Sequence, residues 1–341
     1  MPPLCAIFAL SLAAYVAGAF GSLASWRRPE LARYLCCVAG LVGAILGGFA
    51  AVPGMIRGTA AAWSIPSGIP LFAYSFSYDA LTGFFSMALA VLVGAVSVYS
   101  FSYLKEFEGK RNIAFFGFLY HLLLLSLTVV FTAANAFLFL VAWEVMALAA
   151  YGLVTFYYED RETRRAGLLY VIMAHIDAGC LLLGFALLIN ASGSAEFATF
   201  RPIVAHLSGA QQTAAFVLFF LGFGIKAGII PFHIWLPAAH PVAPSNISAL
   251  LSGIVIKTGI YGMARIFLDA AVATFVASAL GDSKIRISAP NIVLVATASG
   301  IVARSGILGL TLSTLLAVTM FRKALGTSPG RYMAERHAGR L

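Results

Sequence analysis

Along most of the chain, long apolar runs alternate with short segments that carry nearly all the Lys, Arg, Asp and Glu residues. A membrane span needs roughly 20 mostly apolar residues, and by that measure the runs predict helices at about 4–26, 31–52, 79–104, 113–132, 136–158, 166–190, 212–240 and 244–267. The seventh is unlike the others. In GFGIKAGIIPFHIWLPAAHPVAP, residues 222–244, Lys226 is followed by Pro231, Pro237, Pro241 and Pro244. One continuous helix cannot pass through such a cluster, so a break is predicted there, with Pro231 and Pro237 as the breaking residues. In lipid the freed backbone groups must find partners inside the protein or in trapped water. A lysine beside such a break points to a hydrated polar site, with the remaining helices as its wall.

Two segments between spans carry patterns of their own. Residues 53–78 hold a Gly/Pro turn cluster and then an aromatic and aliphatic alternation, which predicts a small β-hairpin or extended segment on the membrane surface. Its Trp63, Tyr74 and Tyr78 suit an interfacial belt. In residues 192–212, Phe197, Phe200 and Ile203 recur at helical spacing, which predicts a short interfacial helix.

Composition agrees with this pattern and excludes other classes. The 341 residues are 61% hydrophobic and only 10% charged, and the mean hydropathy is +0.94, outside the range of a soluble domain. The fold expected is an all-α polytopic membrane protein, a helix bundle with a broken seventh helix. The net charge of +9 lies mostly in short loops, where it reports topology rather than affinity for nucleic acid. With the N-terminus outside, the inner loops carry Arg27, Arg28, Arg33, Lys105, Lys110, Arg111, Arg161, Arg164 and Arg165, against Arg57, Arg201 and Arg265 outside. That bias predicts an N-out, multi-pass protein of a bacterial or archaeal cytoplasmic membrane. The first run lacks a basic leader and a small-residue cleavage site, so it reads as a retained span. Cys5, Cys36, Cys37 and Cys180 lie inside apolar runs without CxxC or Cys/His spacing, which indicates neither a metal site nor a disulfide framework.

Charges inside the spans are costly and therefore informative. Glu144 lies in the fifth span with no charged neighbour on its helix face, so it must be neutral or paired with a cation from another helix. Lys226 precedes the break, and Lys257 lies mid-span in the eighth helix, too deep to reach a headgroup easily. The three together suit a proton or ion pathway, with a structural ion pair as the alternative. Glu144 and Lys226 are expected to pair, with Lys257 as the next acceptor along water. His175 and Asp177, two residues apart in the sixth helix, point in different directions, and each is either a relay member or a packing residue. His233 and His240 flank the break and are read the same way. His121, in the fourth helix, is expected to be an interhelical hydrogen-bond donor.

At these residues the chain resembles a known family. WEVMALAAYGL around Glu144, GIKAGIIPFHIWLPAAHPVAPSNISALLSG around Lys226 and GIVIKTGIYGMAR around Lys257 resemble the antiporter-like proton-translocating membrane subunits of respiratory complex I, Mrp-type cation/proton antiporters and energy-converting hydrogenases. The wording from His233 through Gly262 is most similar to the hydrogenase-4 component B and formate hydrogenlyase branch. The resemblance spans Asp79 to Phe267 and implies roles. Glu144 modulates Lys226, and Lys257 passes the proton toward the middle of the bilayer. His175 also looks like a histidine of the hydrogenase branch, whereas Asp177 has no matched position.

Family members carry a second, inverted set of helices with its own broken helix. After Asp269 no lysine lies within an apolar span and no second proline cluster appears, so the resemblance implies the N-terminal half of such a subunit, truncated or internally deleted. The organisation expected is 1–78 as two spans and an outer loop, 79–267 as the half-channel core, 268–326 as divergent C-terminal span or spans around Arg304, and 327–341 as a polar tail. The function implied is proton translocation as a non-catalytic subunit of a redox-driven hydrogenase or NADH:quinone oxidoreductase complex. No nucleotide, flavin, haem or iron–sulfur motif is present, so no cofactor or metal is expected and electron transfer falls to partner subunits. A cation/proton antiporter subunit and a non-conducting scaffold are the alternatives.

Overall fold

A computed structural model describes residues 2–57, 61–204 and 206–268. The expected segments 268–326 and 327–341, with Arg304, Arg322 and Lys323, lie outside the described residues apart from Leu268. Within them, eight helical stretches are long and apolar enough to cross a membrane: Leu4–Ala24, Pro29–Ile56, Ala80–Phe107, Ile113–Thr132, Ala136–Tyr157, Arg161–Ser192, Gly209–Val242 and Ser245–Phe267. These are the eight runs read from the sequence, displaced by a few residues at their ends. Their helices are α1 (Pro2–Ala24), α2 (Pro29–Arg57), α3 (Ala80–Tyr103), α4 (Ile113–Thr132), α5 (Ala136–Val154) and α6 (Arg161–Ser192), and the last two spans are interrupted.

Polar residues at the loop boundaries set where several spans begin. Asp79, Asn112 and Asn135 each stand just before a helix and accept hydrogen bonds from its first free amides, at Thr82, Phe115 and Phe137 with Leu138. The strands β1 (Ala61–Pro66) and β2 (Ala73–Tyr78) form an antiparallel hairpin with Trp63 opposite Phe76. Phe8 of α1 meets Trp63, Phe76 and Tyr78 edge-on, so the hairpin is fastened to the bundle by aromatic contact. Tyr78 is therefore buried, whereas Tyr74 is exposed and suits the interfacial belt. A short helix, α7 (Phe197–Val204), lies between the sixth and seventh spans. Glu196 before it accepts from Ser75 of the hairpin and Asn135 of the α4–α5 turn, which ties three segments together at this end of the bundle.

The seventh span consists of α8 (Gly209–Ala227), a non-helical stretch, a 3₁₀ turn at Phe232–Ile234 and α9 (Trp235–Val242). A glycine, not a proline, ends α8. Gly228 has φ of 72°, the left-handed conformation that stops helices at little steric cost, and Ile229 N–H returns to the Gly224 carbonyl. Pro231 follows in the non-helical stretch. Pro237 sits in the first turn of α9, where its missing N–H costs no helical bond. The Trp235 indole donates at 2.8 Å to the Ile225 carbonyl, which also accepts from the Gly228 N–H, and so ties α9 to the end of α8.

The eighth span starts as α10 (Ser245–Leu250), widens into a π-turn at Leu251–Val255 and continues as α11 (Ile256–Met263). Gly259 lets α11 reach the end of α8, because a Cβ there would collide with the Phe223 carbonyl and lie 2.7 Å from the Ala227 amide nitrogen. Both obstacles are backbone and cannot swing aside. Gly259→Ala is accordingly expected to cost about 1–3 kcal/mol of stability, as overpacking does. A lowered thermal midpoint in detergent is the expected result, and an unchanged midpoint would show that the two helices have slack.

Candidate functional site

The buried stripe of α6 runs through Tyr170, Ala174, Asp177, Leu181, Phe185 and Leu188, spaced by three or four residues along one face. Asp177 stands in the middle of it. On α5, the buried face brings Phe139, Trp143 and Met146 toward the same place. From the other side, Lys226 occupies the last turn of α8, directly before the interruption. Gly222 permits that approach, since a Cβ there would lie 3.0 Å from the backbone carbonyl of Asp177.

These three helices enclose one polar centre. Lys226 Nζ lies 3.6 Å from Asp177 Oδ2, and both side chains are 1% exposed. The Trp143 indole donates to Asp177 Oδ1 at 2.7 Å. Lys226 Nζ also sits over the rings of Trp143 and Tyr170, at 5.4 and 5.5 Å, and the Tyr170 ring packs edge-on against Trp235 of α9. The cation is thus held by one carboxylate and two aromatic faces, an arrangement that stabilises a desolvated ammonium. Neither Lys226 Nζ nor Asp177 Oδ2 has a hydrogen-bond partner among the described residues. A buried ammonium has three N–H donors, and here it meets the Asp177 carboxylate and the two ring faces.

The residues expected from the sequence fall into different places. The ion pair expected between Glu144 and Lys226 is replaced by one between Asp177 and Lys226. Glu144 is half-buried and forms no ion pair among the described residues. It precedes Leu148 and follows Val141 on α5, both exposed, so it borders the outer surface of the bundle. Lys257 is 4% exposed in α11, just after the π-turn, and has no ion pair among the described residues.

His175 lies on the exposed face of α6 and donates from Nδ1 to the Val171 carbonyl at 2.8 Å, turned away from the centre that Asp177 enters. His240 Nδ1 lies 3.0 Å from Ser248 Oγ and ties α9 to α10. His233 is half-buried in the 3₁₀ turn, and its Nδ1 has no hydrogen-bond partner among the described residues. His121 is fully buried and donates within its own helix, to the Gly117 carbonyl at 2.8 Å, rather than to another helix. Trp143, Tyr170 and Trp235, absent from the sequence reading of the site, complete its wall.

Comparison with known proteins places this architecture. Residues 133–301 match the family described as NADH:quinone oxidoreductase/Mrp antiporter, TM. The chain is 34% identical over 259 residues to hydrogenase-4 component B of Escherichia coli (strain K12), an alignment covering 76% of this chain and 38% of that protein. It is 32% identical over 272 residues to NADH-quinone oxidoreductase subunit N 2 of Acidobacterium capsulatum, covering 77% of this chain and 51% of that one. It therefore spans 38% and 51% of the length of these two curated relatives. Its fold is similar to that of a chain in the solved structure of the membrane-bound sulfane sulfur reductase, an archaeal respiratory membrane complex, with a TM-score of 0.70 and 22% identity over 90% of this chain and 64% of that chain.

Proposed function

We propose that the chain, whose residues 133–301 match the NADH:quinone oxidoreductase/Mrp antiporter transmembrane family, is a member of that family and moves protons within a redox-driven membrane complex. The observation that carries this reading is the Lys226–Asp177 pair, two ionisable groups buried at mid-span beside a helix interruption. Desolvation and mutual attraction nearly cancel in such a pair, so a small change around it shifts the proton between lysine, aspartate and water. Lys226 is the group that gains and loses the proton, and Asp177 is its counter-charge. Trp143 fixes the carboxylate through its indole N–H. Lys257, buried without an anionic partner among the described residues, receives the proton next. Glu144, at the bundle surface, tunes the pair by its charge and is placed to face a neighbouring subunit.

Partner membrane subunits and peripheral electron-transfer subunits follow from the same reading, because relatives carry names of oxidoreductase and hydrogenase components. The loop charges favour an N-out orientation in a prokaryotic cytoplasmic membrane. Proteoliposomes holding the chain in its assembled complex and supplied with electron donor should show proton movement that persists in sodium-free medium. Dependence on sodium would transfer the reading to cation/proton exchange. Electron transfer without any proton movement would leave only a scaffold.

A further inference from the structure

The eighth span carries a second polar group of residues, separate from the Lys226 centre. Lys257, Tyr261 and Arg265 recur every four residues, which places them on one helix face from mid-span to the end nearest the hairpin. Arg265 donates to both carboxylate oxygens of Asp79, the residue that caps α3. It also donates to the Thr82 hydroxyl at 2.7 Å and to the Tyr261 hydroxyl at 3.0 Å. The Phe131 carbonyl, left free where α4 ends, accepts from Tyr261 at 2.7 Å and from Thr82 at 3.0 Å. Three spans are thereby joined by one buried network whose only substantially open member is Asp79, at 31% side-chain exposure.

Beneath the ion pair, the rings of Phe85, Phe131 and Tyr261 close on one another with centroids 5.1–5.5 Å apart. This layer stands between the Asp79 end and Lys257, one helical turn from Tyr261. Burial pulls the Asp79 carboxyl upward, but the hydrogen bonds and charge of Arg265, together with the Thr82 amide and hydroxyl, outweigh it and hold the group below the usual carboxylate value. The pair therefore stays ionised and closed at neutral pH. A proton carrier that hands protons to Lys257 from one side must not leak them to the other.

We propose that Asp79 and Arg265 form a gate which, with the ring layer of Phe85, Phe131 and Tyr261, seals Lys257 from the hairpin face of the membrane. The two charged residues are positioning residues that hold Tyr261 and the end of the eighth span in the closed arrangement. The seal rests on the reading of Lys257 as a proton carrier, but its closure can be measured without any transport.

The test uses Ser86→Cys as a reporter, a near-isosteric change at a buried site one helical turn further in than Thr82. In the full chain within its membrane complex, a membrane-impermeant thiol reagent added on the side that Asp79 faces should label this cysteine slowly, above the background of the four native cysteines. Adding Asp79→Asn should raise the rate about tenfold, the factor that follows from losing one hydrogen bond to a charged group. Asp79→Arg combined with Arg265→Asp should restore protection. The same Asp79→Asn complex should show raised passive proton permeability that Lys257→Ala removes. If Asp79→Asn lowers thermal stability while labelling and permeability stay at the parent level, the pair is a staple and the gate is overturned. Raised labelling that the exchanged pair does not restore overturns it as well, because general loosening would then suffice. If the gate responds as expected but Lys226→Ala still pumps, the proposed function fails and the gate remains.

Discussion

Replacing Lys226 by alanine is expected to abolish coupled proton movement while leaving the chain inserted and folded. The substitution removes the cation that faces Asp177 in the polar centre of α5, α6 and α8. Among the described residues Asp177 then keeps only the Trp143 indole as a partner, and a buried carboxylate in that position takes up a proton and becomes neutral. The fold survives because neutralisation relieves the uncompensated charge. Lys226→Arg separates charge from titration. A guanidinium keeps the positive charge beside Asp177 but cannot lose its proton in a protein, so it should also be inactive. The measurement is proton movement by proteoliposomes of the assembled complex, with electron transfer followed in parallel. Pumping at the parent rate in either variant would remove Lys226 from the pathway. Electron transfer that continues without pumping in both is the expected result.

Lys226 was legible in the sequence because a charge in an apolar run beside a proline cluster is physically expensive. The eight spans were legible for the same reason, since apolar length is a local property of the chain. Asp177 was less so. Seen beside His175, two residues away, it reads as half of a divergent pair, and the resemblance favours the histidine. The helical stripe of Tyr170, Ala174, Leu181, Phe185 and Leu188 contains Asp177 and excludes His175, and that periodicity is the signal that distinguishes them. Glu144 shows the converse, because depth along a helix does not say which face a residue occupies. Its neighbours Val141 and Leu148 are as apolar as any core residue, yet they are exposed on the bundle surface. The prolines after Lys226 likewise draw attention from Gly228, whose left-handed conformation is what ends α8. Least legible of all is the contact of Asp79 with Arg265, 186 residues apart, because partner choice over that separation is settled by packing of whole helices.

Asp177→Asn should destabilise the protein, whereas Glu144→Gln should leave its stability almost unchanged, although both are expected to slow proton movement. The asparagine oxygen can still accept from Trp143, so the loss falls on Lys226, which keeps its burial and loses its counter-charge. Removing one partner of a buried pair costs about 3–5 kcal/mol when the remaining charge persists. The cost falls toward about 1–3 kcal/mol when the lysine deprotonates and is left only with unsatisfied N–H groups. Glu144 has no ion pair among the described residues and sits half-buried at the edge of α5, so its neutralisation strands no partner. The decisive comparison adds Lys226→Met to Asp177→Asn. With both charges gone, the double variant should recover most of the thermal midpoint lost in Asp177→Asn and recover none of the pumping. That combination separates what the pair does for the fold, where an apolar replacement serves as well, from what it does for proton movement, where nothing but a titratable lysine serves. Equal stability in Asp177→Asn and Glu144→Gln, measured by thermal unfolding of the purified complex, would mean that the lysine does not depend on Asp177. The centre of the site would then move toward Glu144.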